Sequence, residues 1–110
     1  MLKPSARSPA NVAMIDTGAS GTVVTPGIIQ QLGLAPVGVS KMSTPSTTAA
    51  VDAAVYNLGL AFPNGVSLPS VTALEAPLGG QHIQCLIGRD VLQHCVLTYV
   101  GYINQYTLSF

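Results

Sequence analysis

The residues of this chain best suited to chemistry are Asp16-Thr17-Gly18-Ala19-Ser20, set between the apolar runs Val12-Ala13-Met14-Ile15 and Val23-Val24. A carboxylate among uncharged neighbours is costly to bury unless hydrogen bonds or a partner stabilise it, so the position of Asp16 calls for a reason. Gly18 supplies part of one. It lets the backbone turn sharply and be approached closely, while the hydroxyls of Thr17 and Ser20 are placed to anchor the turn. A carboxylate in such a turn offers general acid–base catalysis, and a lone acid needs a second to work as a pair. By itself Asp-Thr-Gly is a short match that a chance turn produces nearly as readily.

A second segment, Leu86-Ile87-Gly88-Arg89-Asp90, reads as a buried strand ending in glycine before a short helix. Asp90 suits a helix cap and Arg89 a structural role better than a catalytic one. His82, Cys85, His94 and Cys95 invite a reading as zinc ligands, which the pattern does not support. Adjacent His94 and Cys95 point in different directions on a helix or a strand, and the paired short spacings of structural zinc sites are missing. No metal site is expected; Cys85 and Cys95 read as buried free thiols and the histidines as partly exposed. Tyr99, Tyr102 and Tyr106 read as sheet packing, and Met14 and Leu86 as core residues on buried strands.

The elements that position these residues follow from local signals. Asn11 to Ile15 reads as a buried strand running into the Asp16 turn, and Gly21 to Val24 as a short extended continuation. Thr25-Pro26 announces a helix: Thr25 suits the N-cap, Pro26 the first helical position, Ile28, Ile29 and Leu32 the buried face, and Gly33 the C-terminal stop. Val39 to Ser43 and Val51 to Phe62 predict a long hairpin with a hydroxyl-rich tip around Pro45 to Thr48. Asn64-Gly65 is a strong hairpin turn, separating Leu58 to Phe62 from Val66 to Leu68, with Val71 to Leu74 as another strand. Gly79-Gly80 marks a loop, Ile83 to Ile87 a further strand, and Asp90 the start of a helical turn through His94. The chain ends in a hairpin of Val96 to Val100 and Tyr102 to Phe110, in which Tyr106, Leu108 and Phe110 alternate with polar residues.

At 110 residues the chain has room for one domain with a modest core and no second catalytic lobe. Charged residues make up 7% and hydrophobic residues 48%, against about 25% charged in ordinary domains. A surface so poor in charge is explained by a subunit interface. The net charge is zero, and Lys3, Arg7, Lys41 and Arg89 are too scattered to bind phosphate, which argues against nucleic acid. No apolar run approaches the ~20 residues of a membrane span, and the first ten residues carry prolines and serines instead of a secretory segment. The sequence therefore reads as soluble, with no membrane partner, and as cytoplasmic.

Ile15-Asp16-Thr17-Gly18-Ala19-Ser20 and Leu86-Ile87-Gly88-Arg89-Asp90, with the helix, hairpin and terminal strands in the same order, resemble the retropepsin-like aspartic proteases over nearly the whole chain. The glycine-free hairpin tip and the Gly-Arg-Asp segment look more like the cellular or bacterial branch. The resemblance implies an all-β, closed β-barrel-like retropepsin (acid protease) fold with one or two short helices. It implies a single domain over 1–110, with an N-terminal arm at 1–10, a candidate flap at 41–52 and a C-terminal hairpin at 96–110 as candidate dimer interface. The activity it implies is aspartic endopeptidase cleavage of extended polypeptides by a homodimer, each subunit supplying Asp16 as catalytic residue to a water-activating pair, with no cofactor. By the same resemblance Thr17, Gly18 and Ala19 support the active-site loop, Gly88 and Arg89 support its structure, and Met14 and Leu86 match positions that line substrate pockets in relatives, an alternative of equal weight to their core reading.

The chain departs from the retroviral pattern at three points. Its hairpin tip lacks the glycines of retroviral flaps; Ser20 stands where those enzymes often place a second acid, leaving Arg89 to find another partner; and the lead before Asp16 is short. A rival reading keeps the fold without the enzyme, as a dimerisation or peptide-binding module that captures extended chains by strand addition. The intact Asp16-Thr17-Gly18 argues for the protease.

Overall fold

Short runs of Val, Ile, Leu and Ala cannot bury themselves alone, and here they do so by pairing non-locally. The computed structural model describes residues 11–42, 50–63, 65–79 and 82–110. Strands β1 (Ala13–Ile15), β2 (Thr22–Val24), β3 (Gly38–Met42), β4 (Val51–Ala61), β5 (Ser67–Glu75) and β6 (Cys85–Ile87) form a six-stranded mixed sheet in the order β1-β6-β2-β5-β4-β3. Strands β7 (Val96–Val100) and β8 (Gln105–Ser109) make a separate two-stranded sheet. With the short helices α1 (Pro26–Leu32) and α2 (Arg89–Leu92), the architecture is the expected all-β fold.

Helix α1 follows its sequence signals. Thr25 occupies the N-cap with extended backbone, Pro26 opens the helix, and Gly33 ends it in the left-handed conformation at φ 65°. The cap works through the backbone: the Thr25 carbonyl accepts from Ile28 N at 3.1 Å, and the Thr25 side chain makes no capping bond. Ile28 and Ile29 point into a core shared with Val24, Leu58, Leu60 and Ile87.

Two expectations about strands are corrected. Ser67–Glu75 is one strand where two are expected, because the register against β4 shifts between Leu58 and Leu60. Gly59 there opposes both Pro69 and Ser70, a bulge that seats a proline without costing a ladder donor. The tyrosines of the terminal hairpin are not buried as sheet packing requires: Tyr99 is 65%, Tyr102 91% and Tyr106 55% exposed. The hairpin forms its own sheet, and its face carrying Tyr99 and Tyr106 borders a groove beside β1. Leu108 alone of the alternating residues is half-buried, and Phe110 stacks at a tilt on Phe62, with ring centroids 5.1 Å apart.

Of the hairpin read as a candidate flap, only the base lies among the described residues. Its base is paired, Lys41 opposite Asp52 and Met42 opposite Val51, with an ion pair between Lys41 and Asp52. Its tip at 43–49 lies outside the described residues, as do the arm at 1–10, Asn64 and Gly80. Beyond Asn64 the turn is seen in Gly65, whose φ of 89° requires glycine and whose N–H donates to Phe62 O. Among the described residues no helix is long and apolar enough to cross a membrane.

Candidate active site

Strand β6 lies between β1 and β2, parallel to the first and antiparallel to the second. The segment 16–21, which leaves β1 and returns into β2, therefore arches over the C-terminal end of β6. Ile87 closes β6, and its carbonyl accepts from Asp16 N at 2.9 Å. The acid is thus fixed to the sheet by its own backbone before its side chain is considered.

The side chain then shapes the turn. Asp16 Oδ1 accepts from Gly18 N at 2.9 Å, and the Asp16 carbonyl accepts from Ala19 N at 3.2 Å. This corrects the expectation that the Thr17 and Ser20 hydroxyls anchor the turn. An aspartate reaches the N–H two residues on without strain and accepts with charge, which a hydroxyl does more weakly. A β-carbon at Gly18 would sit 3.2 Å from Asp16 Oδ1, a tight contact that would crowd the carboxylate. Asp16 is half-buried, with Thr17, Gly18 and Ser20 exposed around it. The surroundings of the carboxylate in this chain are consequently more open than its apolar flanks suggest.

The second segment meets the first as expected. Arg89 N donates to Ala19 O at 2.9 Å, and the Arg89 guanidinium donates through Nη1 to Thr17 O, also at 2.9 Å. The guanidinium thus grips the loop through a carbonyl, filling the role left open by Ser20. Gly88 is the N-cap of α2, and Asp90 lies inside the first turn. Asp90 is therefore not the cap that its sequence position suggests; its Oδ1 accepts from Val91 N at 2.9 Å and from the Thr22 hydroxyl at 2.8 Å. Thr22 Oγ1 in turn accepts from Gly88 N at 3.3 Å. Sequence reasoning passes over Thr22. The available signal is a hydroxyl where Val24, two residues on in the same strand, is apolar.

Asp16 opens onto a cleft of about 490 Å³, whose walls include Val23, Met42, Leu74, Pro77, Leu78 and Leu86. Leu86 is therefore a cleft residue as well as a strand residue. Met14 lines a different groove on the far side of β1, together with Thr17, Leu97, Tyr99 and Tyr106. Asp16 is the only titratable side chain among the described residues lining the cleft. Apolar walls with one acid at the mouth suit the capture of an uncharged chain beside a proton-transfer group.

The remaining candidates stay apart from this site. Cys85 is a buried free thiol, pushed up to about 11 by burial, and Cys95 is a half-buried free thiol that donates to Leu92 O. His82 and His94 are exposed. Among the described residues, no three His, Cys, Asp or Glu side chains come together to hold a metal ion.

The family model described as aspartyl protease matches residues 9–91, a span that includes both the Asp16 loop and the Gly88 turn. By structure the chain is similar to a retropepsin-like aspartic protease from Rickettsia conorii, with a TM-score of 0.63 and 19% sequence identity. The alignment covers 87% of this chain and 70% of that one, a likeness of fold. No curated protein matches the chain.

Proposed function

The chain belongs to the aspartyl protease family, and we propose that it is an aspartic endopeptidase whose active site forms when two copies bring their Asp16 loops together. The observation that carries this reading is Asp16 at the mouth of an apolar cleft in which no second carboxylate faces it among the described residues. Acid–base hydrolysis of a peptide by carboxylates needs two, and a second copy is the economical source of the other.

In such a pair the carboxylates lie too close for both to ionise cheaply, so they share one proton. The ionised member takes a proton from a bound water as its oxygen attacks the scissile carbonyl carbon. The protonated member hydrogen-bonds to the carbonyl oxygen as negative charge develops there. Collapse of the tetrahedral intermediate breaks the carbon–nitrogen bond, and the nitrogen leaves with a proton from the pair. The Gly18 N–H on Asp16 Oδ1 holds the carboxylate plane, which leaves the other oxygen for this chemistry.

The placement of the described residues supports the rest of the reading. Thr17 borders the groove that carries Tyr99 and Tyr106, which suits a loop that faces the partner copy. Gly18 and Ala19 border the cleft and leave room for the substrate backbone. Gly88 and Arg89 hold the loop from below. The segment 41–52, with Met42 at the cleft wall, serves as the flap, and 96–110 as the dimer surface of a single domain.

The test is cleavage of an unbiased peptide library by the purified protein from acidic to neutral pH. Asp16→Asn keeps an oxygen for the Gly18 N–H and removes the base, so it should lower kcat by about 10²–10⁴-fold while leaving the circular dichroism unchanged. Cleavage unaffected in Asp16→Asn would overturn the mechanism. Tight peptide binding with no cleavage by either protein would make the chain a binding module.

A further inference from the structure

Each of the residues Ile87, Gly88, Arg89 and Asp90 makes a hydrogen bond to the segment 16–22, and the bond at the far end is the unusual one. There the Thr22 hydroxyl donates to Asp90 Oδ1 at 2.8 Å and accepts from Gly88 N at 3.3 Å. Thr22 is 0% exposed and is the only polar residue in the buried core among the described residues. A hydroxyl there is costly unless both of its bonds are made, and valine has the same shape without that cost. Val24, on the same face of the same strand, shows that the position otherwise suits an apolar side chain. The hydroxyl is therefore present for its partners.

We infer that Thr22 and Asp90 are positioning residues for the Asp16 loop. The inference rests on the protease reading for its consequence in catalysis, though not for its geometry. The loop is pinned where it begins by Asp16 N on Ile87 O, and in its middle by Arg89 on Thr17 O and Ala19 O. Where it ends, the Thr22 hydroxyl supplies the side-chain tie to the Gly88 turn. Backbone pairing of Thr22 with Ala73 and of Val23 with Leu86 sets the strand register there, so what the hydroxyl tie fixes is the seat of the Gly88 turn beneath the end of the loop. Asp90 completes the arrangement because it is an acceptor held in place by Val91 N, so the Thr22 proton has a fixed direction and its lone pair is left for Gly88. The consequence reaches Asp16 through its placement relative to the second carboxylate, since the titration of a coupled pair depends on separation.

The experiment uses the full chain with Thr22→Val, Thr22→Ser, Asp90→Ala and Asp90→Asn. Amide hydrogen exchange and peptide cleavage are measured on each. Thr22→Val should speed exchange at Gly88 and Ala19 by at least about tenfold while amides of β4 and β5 stay protected. It should lower kcat by about ten- to a hundredfold with KM nearly unchanged, because the walls at Leu74, Pro77 and Leu78 do not depend on the tie. The pH–rate profile should move as well, which general loosening of the fold would not produce. Thr22→Ser restores the hydroxyl and Asp90→Asn keeps an acceptor oxygen, so both should stay within about threefold of the parent, while Asp90→Ala follows Thr22→Val.

Unchanged exchange and kcat in Thr22→Val would overturn the inference, as would a Thr22→Ser protein as impaired as Thr22→Val. If Thr22→Val does not fold, Asp90→Ala set against Asp90→Asn makes the same comparison from the other partner. Exchange decides the tie whether or not the parent cleaves peptides. Absence of cleavage by the parent, with Gly88 exchange accelerated in Thr22→Val, would remove the protease reading and leave the tie standing.

Discussion

A β-carbon on Gly88 would lie 2.5 Å from the carbonyl oxygen of Gly21. The two glycines therefore mark a close approach between the Asp16 loop and the turn below it, and only Gly88 is sterically required. At Gly21 a β-carbon meets nothing within 4 Å, whereas at Gly88 it strikes backbone that cannot rotate away.

Gly88→Ala should consequently destabilise the chain by about 1–3 kcal/mol or more, the cost of overpacking against a fixed neighbour. Gly21→Ala should be neutral or stabilising by up to about 1 kcal/mol through the unfolded state. Chemical denaturation of both variants against the parent checks the asymmetry. Equal losses would mean that Gly21, and not the Gly88 contact, limits the approach.

Burial pushes the Cys85 thiol up from 9.0 to about 11. The folded chain then keeps a proton that the unfolded chain releases, so the stabilisation is complete below pH 9 and is lost as pH rises through 11. The loss should reach about 2–3 kcal/mol for a shift of this size. Thermal midpoints from pH 8 to 11 should fall, with a shallower fall in Cys85→Ala. At pH 8 a thiol alkylating reagent should label Cys95 in the folded chain and reach Cys85 only on unfolding.

The cleft beside Asp16 predicts which bonds are cut. Val23, Met42, Leu74 and Leu86 offer a residue next to the scissile bond apolar contact and no charge partner. Peptides with Leu, Phe or Met there should show kcat/KM at least about tenfold above those with Asp or Lys. Mass spectrometry of library digests reads this directly, and cleavage indifferent to charge at that position would mean that the side chain docks elsewhere.

Much of the site was legible because its signals are local. Asp16, Gly18 and the helix from Pro26 to Gly33 announce themselves through turn and cap chemistry within a few residues. Thr22 and Asp90 were not legible, because each has a sufficient local explanation: threonine suits a strand, and aspartate suits the start of a helix. Their partnership spans 68 residues and exists only after β6 is inserted between β1 and β2. The tyrosines of the last hairpin misled for a related reason. Alternation of apolar and polar residues declares that one face is covered without saying whether the cover belongs to the same chain.

That cover leads to the last prediction. Tyr99 and Tyr106 are cross-strand partners in the β7–β8 hairpin, both more than half exposed, and with Thr17 and Met14 they border a groove of about 630 Å³ along β1, an edge strand of the main sheet among the described residues. Exposed aromatics beside an edge strand are characteristic of a surface completed by association, since they bring large apolar area at little entropic cost. If a second copy covers them and supplies the other Asp16, activity per chain should fall as the protein is diluted below the dimer dissociation constant, and sedimentation should show monomer appearing over the same range. Tyr99→Ser with Tyr106→Ser should raise that constant by about ten- to a hundredfold, equivalent to about 1.4–2.7 kcal/mol, and should leave the fold of the monomer intact because neither ring is part of its core. At high protein concentration the double variant should recover its activity. Specific activity independent of dilution, in a protein that sediments as a monomer, would mean that the second acid comes from within the chain and that the hairpin face serves another purpose.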